Sequence, residues 1–160
     1  DEEIKAILSV TKEMEVPTIV AGGIYSREDM EHYLAMGAAG VQMATRFVTT
    51  EECDASDAYK QAYINAKKED IEIVSSPVGM PGRAIYNDFM AKSETETFKL
   101  KKCHQCISTC KGKDIPYCIT DALVNAANGD VDNALLFCGE KAYKATKLEH
   151  VSDIFKEIIG

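Results

Sequence analysis

The sequence predicts an α/β fold with parallel strands, and two observations carry that expectation. Short β-prone apolar runs alternate with stretches of helical spacing through the first third of the chain. Both runs end in glycine or small polar residues, as strands entering a loop do. A third observation bounds the fold: 160 residues, 46% hydrophobic and 28% charged, suit a globular chain with a sizeable core. No apolar run approaches the ~20 residues of a membrane helix, and no basic start precedes an apolar segment as in a secretory signal. The opening Asp1-Glu2-Glu3-Ile4 has no Met and reads like the inside of a helix, so a preceding segment is expected.

Taken in order, Glu2 to Met14 places Ile4, Ile7, Leu8 and Thr11 on one helical face, and Pro17 stops the pattern. Thr18 to Ala21 is a continuous apolar run, the pattern of a strand covered on both faces. Gly22-Gly23 closes it. Ser26 with Asp29 three residues on is a capping arrangement for the next helix, whose apolar face is Met30, Tyr33, Leu34 and Met36 and which Gly37 ends. Val41 to Ala44 is a second short strand, and Glu51 to Lys68 reads as a helix with Glu51 and Glu52 favouring its N-terminal dipole. Ser75 to Arg83 is a loop by its Gly, Pro and Ser content. Ala84 to Lys92 is expected to be helical, Ser93 to Lys102 a polar connector, and Asp121–Asn128, Asp132–Phe137 and Val151–Ile159 helices. This divides the chain into βα units over 1–70 and a loop with a mainly helical, cysteine-containing region over 71–160.

The net charge of −8 excludes a nucleic-acid binder, which needs clustered cations; Lys99, Lys101 and Lys102 are too few. Six cysteines without a secretory feature favour reduced thiols and a cytoplasmic setting.

The functional signal sits at the two strand ends. Gly22 and Gly23 allow positive φ and let a ligand reach backbone N–H groups that a Cβ would block. Gln42, Met43, Ala44 and Thr45 end the second strand with small residues and a hydroxyl, donors suited to a phosphate. In (β/α)8 barrels the loops after the seventh and eighth strands build phosphate sites in this way. Singly, each feature is ordinary: Gly-Gly as a tight turn, Thr45 as a cap, Arg46 as a salt-bridge partner. At the spacing of one βα unit they point to a shared anion site.

Val16 to Ile24 and Met36 to Phe47 together closely resemble the nitronate monooxygenase family, formerly 2-nitropropane dioxygenases, which includes flavin-dependent enoyl-acyl-carrier-protein reductases. Gly79-Met80-Pro81-Gly82-Arg83-Ala84-Ile85 followed by Asn87 resembles its post-barrel loop. The resemblance implies the C-terminal portion of a TIM (β/α)8 barrel that binds FMN. Gly22 and Gly23 would then hold the FMN phosphate from the seventh strand, and Gln42, Met43, Ala44 and Thr45 from the eighth. Where the family usually has Gly, this chain has Ala44. The substrate-facing His of the family comes from earlier strands, and His32, His104 and His150 do not fit its role, so no catalytic residue is assigned. The implied reaction is oxidation of a nitronate by dioxygen, with enoyl-thioester reduction as the alternative; a fragment of such an enzyme is expected to be inactive alone.

Cys103-x2-Cys106-x3-Cys110-x7-Cys118, enclosing His104, is the second candidate site. Thiolates at such spacing hold Zn²⁺ or an iron–sulfur cluster, although the pattern matches neither a zinc ribbon nor a ferredoxin run. The alternative is a set of reduced, partly buried thiols. A third functional class also remains: a metal- or partner-binding module that borrows two βα units. Two parallel strands leave open edges, which favour pairing with a second copy or with a missing half. The expected ligand is a small-molecule substrate, with no nucleic-acid or membrane partner.

Overall fold

The structure, a computed structural model, describes residues 1–99, 102–108, 110 and 115–160. It opens with α1 (Glu2–Glu13), β1 (Ile19–Ala21), α2 (Arg27–Ala35) and β2 (Gly40–Gln42). The two strands pair in parallel, with Ile19 opposite Gly40 and Ala21 opposite Gln42. The Ser26 hydroxyl accepts from the Asp29 amide while the Asp29 carboxylate accepts from the Ser26 amide, so the predicted capping box forms. Leu8, Val20, Ile24 and Ala38 make a small core between α1 and the inner side of this unit.

The apolar run of β1 is not covered on both faces by the described residues. Val20 is buried, yet Ile19 is 65% exposed, and Ala21 and Gln42 are exposed with it. A two-stranded sheet has a helical layer behind Val20 here, while Ile19 and Gln42 border an open cavity of about 510 Å³ shared with Ile154 and Phe155.

After β2 the chain turns through the short helix α3 (Thr45–Val48), then α4 (Asp57–Asn65). The helix predicted over Glu51 to Lys68 is corrected at both ends: it stops at Asn65, and Ser56 is the N-cap, its hydroxyl accepting from Tyr59 N at 3.3 Å. Glu52 instead accepts from Val151 N, across 99 residues, at the start of the last helix.

The C-terminal region departs most from expectation. It contains a three-stranded antiparallel sheet, β3 (Ile71–Val74), β4 (Gly82–Ile85) and β5 (Leu136–Phe137), in the order β3-β4-β5. The helix predicted over Ala84–Lys92 is therefore the end of β4 followed by α5 (Asp88–Ser93), and the one over Asp132–Phe137 is a 3-10 turn at Val131–Asn133 followed by β5. The predicted loop keeps Ser75–Pro81 and loses Gly82 and Arg83 to β4. Gly82 explains the pairing, because a Cβ there would collide with the Phe137 ring. Asn87 fastens the start of α5: its carbonyl accepts from Met90 N at 3.0 Å, and its amide donates to Val131 O and Ala134 O at 3.0 and 2.9 Å. Helices α6 (Ile119–Asn128) and α7 (Val151–Ile159) form as predicted within two residues. Tyr63, Ala66, Ile85, Ala126, Leu136 and Ala142 share one core, so α4 packs on the sheet region.

Arg46 fixes how these parts meet. It is 4% exposed and donates to Glu149 at 3.0 and 3.2 Å, to Glu157 at 2.5 and 2.9 Å, and to Tyr25 O at 2.9 Å. Its guanidinium also lies 5.0 Å from the centroid of the Tyr25 ring. Glu149 is held for this contact by a parallel bridge to Thr50, with Glu51 N donating to Glu149 O and Glu149 N to Thr49 O, both at 3.0 Å. On α7, Ile154 and Ile158 are buried one turn apart, facing the same layer.

Removing Arg46 strands the half-enclosed Glu149 carboxylate without its cation. Arg46→Leu is expected to lower the unfolding free energy by about 3–5 kcal/mol in urea titrations. Glu157→Gln, at a side chain 49% exposed, should cost under about 1 kcal/mol. The reverse ranking would refute Arg46–Glu149 as the anchor.

Candidate functional site

The tips of β1 and β2 open on one cavity of about 190 Å³. Its wall includes Gly22, Gly23, Gln42, Met43, Ala44 and Thr45, so the structure brings all six sequence-predicted positions together. Gly22 and Gly23 have φ of +94° and +67°, the left-handed region that a side chain strains. A Cβ on Gly22 would meet nothing within 4 Å, so the space before its backbone is open. Among the described residues the amides of Gly23, Ile24, Ala44 and Thr45 find no protein acceptor. Ala44 has φ −127°, outside the left-handed region, so its methyl group imposes no backbone strain.

Three further wall residues come from beyond β5: Gly139, Glu140 and Lys141. The sequence carried the same signal here as at β1, an apolar run (Ala134 to Phe137) followed by glycine. Reading that run as a helix hid it. Gly139 N donates to Thr45 Oγ1 at 2.8 Å. A Cβ on Gly139 would stand 2.7 Å from that oxygen, so glycine is required for the approach. The hydroxyl thus accepts from the protein and keeps its own proton to donate.

The lysine at the rim is already paired. Lys141 Nζ binds Asp29 Oδ1 at 2.5 Å, and Asp29 Oδ2 takes the amides of Tyr25 and Ser26 at 2.9 and 3.1 Å. Glu140 Oε2 lies 3.8 Å from where a Gly23 Cβ would be, and its side chain is otherwise exposed. Donation into the cavity therefore rests on main-chain N–H groups and Thr45. Burial pushes the Tyr25 hydroxyl beside the site up to about 12, despite the opposing Arg46 charge, so it is neutral at physiological pH.

The histidines lie elsewhere. His32 pairs with Asp1 at 3.3 Å, His150 with Glu52 at 3.5 Å and His104 with Asp121 at 2.8 Å. Cys103, Cys106, Cys110 and Cys118 line a separate cavity of about 240 Å³ with His104. Among the described residues no three His, Cys, Asp or Glu converge tightly enough to hold an ion as placed. No helix among them is long and apolar enough to cross a membrane.

Comparison with known proteins adds an independent line. The family model described as nitronate monooxygenase matches residues 1–160. A probable nitronate monooxygenase of Staphylococcus saprophyticus is 36% identical over 80 residues, covering 50% of this chain and 22% of that protein. An octahydro-indene-carboxyl-CoA dehydrogenase of Rhodococcus jostii is 35% identical over 86 residues, 54% of this chain and 24% of its own length. Among solved structures, FabK from Thermotoga maritima superposes with a TM-score of 0.75 at 25% identity, covering 96% of this chain and 46% of FabK. The chain thus spans less than half the length of these proteins.

The Asp29–Lys141 pair gives the site a pH signature. Burial raises the Asp29 carboxyl, but the Lys141 hydrogen bond, the Tyr25 and Ser26 amides and the Lys141 charge outweigh it and hold the group at about 2, against an ordinary 3.8. A carboxyl depressed on folding stabilises the protein above its unfolded pKa, and that contribution fades as pH falls towards the folded value. The shift corresponds to about 2 kcal/mol. Lys141→Met should therefore be less stable than wild type by up to about 2 kcal/mol near pH ~6, the gap closing between pH ~4 and ~2. Urea titrations across that range would reject the pairing if the gap did not change.

Proposed function

The chain belongs to the nitronate monooxygenase family, and from that premise we propose that it supplies the phosphate cradle of an FMN site in an oxidoreductase acting on nitronates with dioxygen. β1 and β2 are, in this reading, the last two strands of a (β/α)8 barrel, and their uncovered face, with Ile19, Ala21 and Gln42, is the barrel interior. The observation that carries the proposal is the single cavity at both strand tips, where two left-handed glycines and the Ala44 and Thr45 amides meet without protein acceptors.

The cradle suits a phosphate in kind. Glycine backbone admits close approach, N–H donors match an oxyanion, and Thr45 adds a hydroxyl that already accepts from Gly139 and keeps its proton to donate. Gly22, Gly23, Gln42, Met43, Ala44 and Thr45 would hold the group, while FMN, when bound, supplies the electron transfer that no protein side chain provides. The residues of this chain orient the cofactor; none of its histidines borders the cavity, so the base of the reaction is assigned elsewhere in the enzyme. The chain by itself is then a binding element without turnover. A cytoplasmic setting and a small-molecule substrate follow from the same reading.

A second reading has one observation in its favour: the Rhodococcus relative is named as a carboxyl-CoA dehydrogenase. In that case the same cradle serves a flavin that exchanges hydride with a thioester substrate, as an enoyl reductase does. Steady-state assays of the full-length protein with nitronates against enoyl thioesters separate the two.

In the full-length protein, Thr45→Val should weaken FMN binding by ~1–3 kcal/mol, the cost of an unmade hydrogen bond, while Thr45→Ser retains most of the affinity. Fluorescence titration of FMN reads both. Unaltered affinity in a folded Thr45→Val protein would remove the phosphate assignment.

A further inference from the structure

Cysteine is among the residue types most often buried, because its thiol behaves as a small apolar group. Cys53 and Cys138 behave nearly so: both are half-buried, and burial pushes the Cys138 thiol up to about 11. Cys103 and Cys106 do not. Both are exposed, and they face the same cavity of about 240 Å³ as Cys110 and Cys118. Four of the six cysteines thus surround one space, drawn from a stretch of sixteen residues. Packing gives no reason for that gathering.

Gln105, between the first pair, has φ +50°, one of two non-glycine residues with positive φ among those described. Cys103 and Cys106, on either side of it, line the same cavity. Cys110 N donates to Ile107 O at 3.2 Å, and Cys110 lines the same cavity as the pair. Cys118 is the N-cap of α6 and is seated by Ile115 and Tyr117, which are 7% and 2% exposed. Thr120 Oγ1 donates to Cys106 Sγ at 3.0 Å, the kind of outer hydrogen bond that orients a sulfur ligand. His104 Nε2 is engaged by Asp121 and is not counted among the ligands.

We propose that Cys103, Cys106, Cys110 and Cys118 form a thiolate site for one soft metal centre, either Zn²⁺ or an iron–sulfur cluster, separate from the cavity at the strand tips. As placed, the four cysteines line the space without converging on one point, so binding draws their side chains inward around the metal. Each thiol gives its proton to solvent as its sulfur–metal bond forms, with no change in oxidation state of the sulfur. Four thiolates around Zn²⁺ carry a net charge of −2, and the Lys102 ammonium at the cavity wall offsets part of it. The role is to lock the segment between α5 and α6; an iron–sulfur cluster there would add a redox centre.

The test uses the full-length protein purified anaerobically without chelator and reconstituted in separate arms with Zn²⁺ or with Fe²⁺ and sulfide. Metal and acid-labile sulfide are then measured per chain. About one zinc per chain, or iron with matching sulfide, is expected. Cys103→Ser/Cys106→Ser should lose it and Cys53→Ser should keep it. Alkylation of the native wild type, read by mass spectrometry, decides the case if the double variant does not fold: metal should shield the four cysteines at least tenfold, and a chelator should expose them. Metal-free protein in both arms, equal metal in the double variant, or alkylation indifferent to metal would each overturn the site.

Discussion

A guanidinium with almost no access to solvent must be answered by the protein itself, and Arg46 is answered from three separate stretches of chain. The Tyr25 carbonyl and ring come from the loop after β1, Glu149 from the segment bridged to Thr50, and Glu157 from α7. Each alone would leave a buried charge short of partners, which costs several kcal/mol. Together they hold the β1 loop, the β2 exit and the last helix in one arrangement. That arrangement sets the position of the neighbouring residue, Thr45, and through it the cavity.

The cavity is accordingly a three-strand construction. β1 contributes glycines, β2 contributes Ala44 and Thr45, and the loop after β5 contributes Gly139 to Lys141. Two contacts bind the third element to the first two: Gly139 N to Thr45 Oγ1 across 94 residues, and Lys141 to Asp29 across 112. Asp29 serves twice. It completes the capping box of α2 and receives Lys141, so one carboxylate both starts a helix and fastens the distant rim. The antiparallel sheet exists in part to deliver that loop, since β5 ends two residues before Gly139.

What could be read from the sequence was whatever depends on neighbours in the chain. The Ser26–Asp29 capping box, Gly22-Gly23 after an apolar run, and the helix over Val151–Ile159 are local facts, and the structure has them where the pattern put them. The Thr45–Gly139 contact and the carboxylates around Arg46 are set by residues about a hundred positions apart, and no periodicity in one sequence announces them. β5 failed for a further reason: two residues are too few to show alternation, and Ala134 to Phe137 satisfies a helical pattern as well as a strand. Gly82 illustrates the same limit. Its glycine reads as a loop signal until the Phe137 ring is seen to occupy the space of its missing side chain. The proposal of FMN rests on resemblance alone, because Gly-Gly and Thr-Arg are compatible with any anion.

The proposed anion cradle on a chain of net charge −8 looks contradictory until distance is considered. At physiological ionic strength, exposed charges beyond ~8 Å are largely screened, so most of the carboxylates of this surface act weakly on the cavity. Of those at its edge, Asp29 is neutralised by Lys141, which leaves Glu140 as the one unpaired negative group on the wall. Against it stand four main-chain N–H groups and a hydroxyl, all fixed before a ligand arrives and needing no reorganisation to donate. Fixed dipoles at contact distance act through the least solvent, whereas Glu140 is exposed and free to swing into water. In the proposed role, the site selects by hydrogen-bond geometry more than by charge. Arg46, the strongest cation nearby, is spent entirely on holding that geometry.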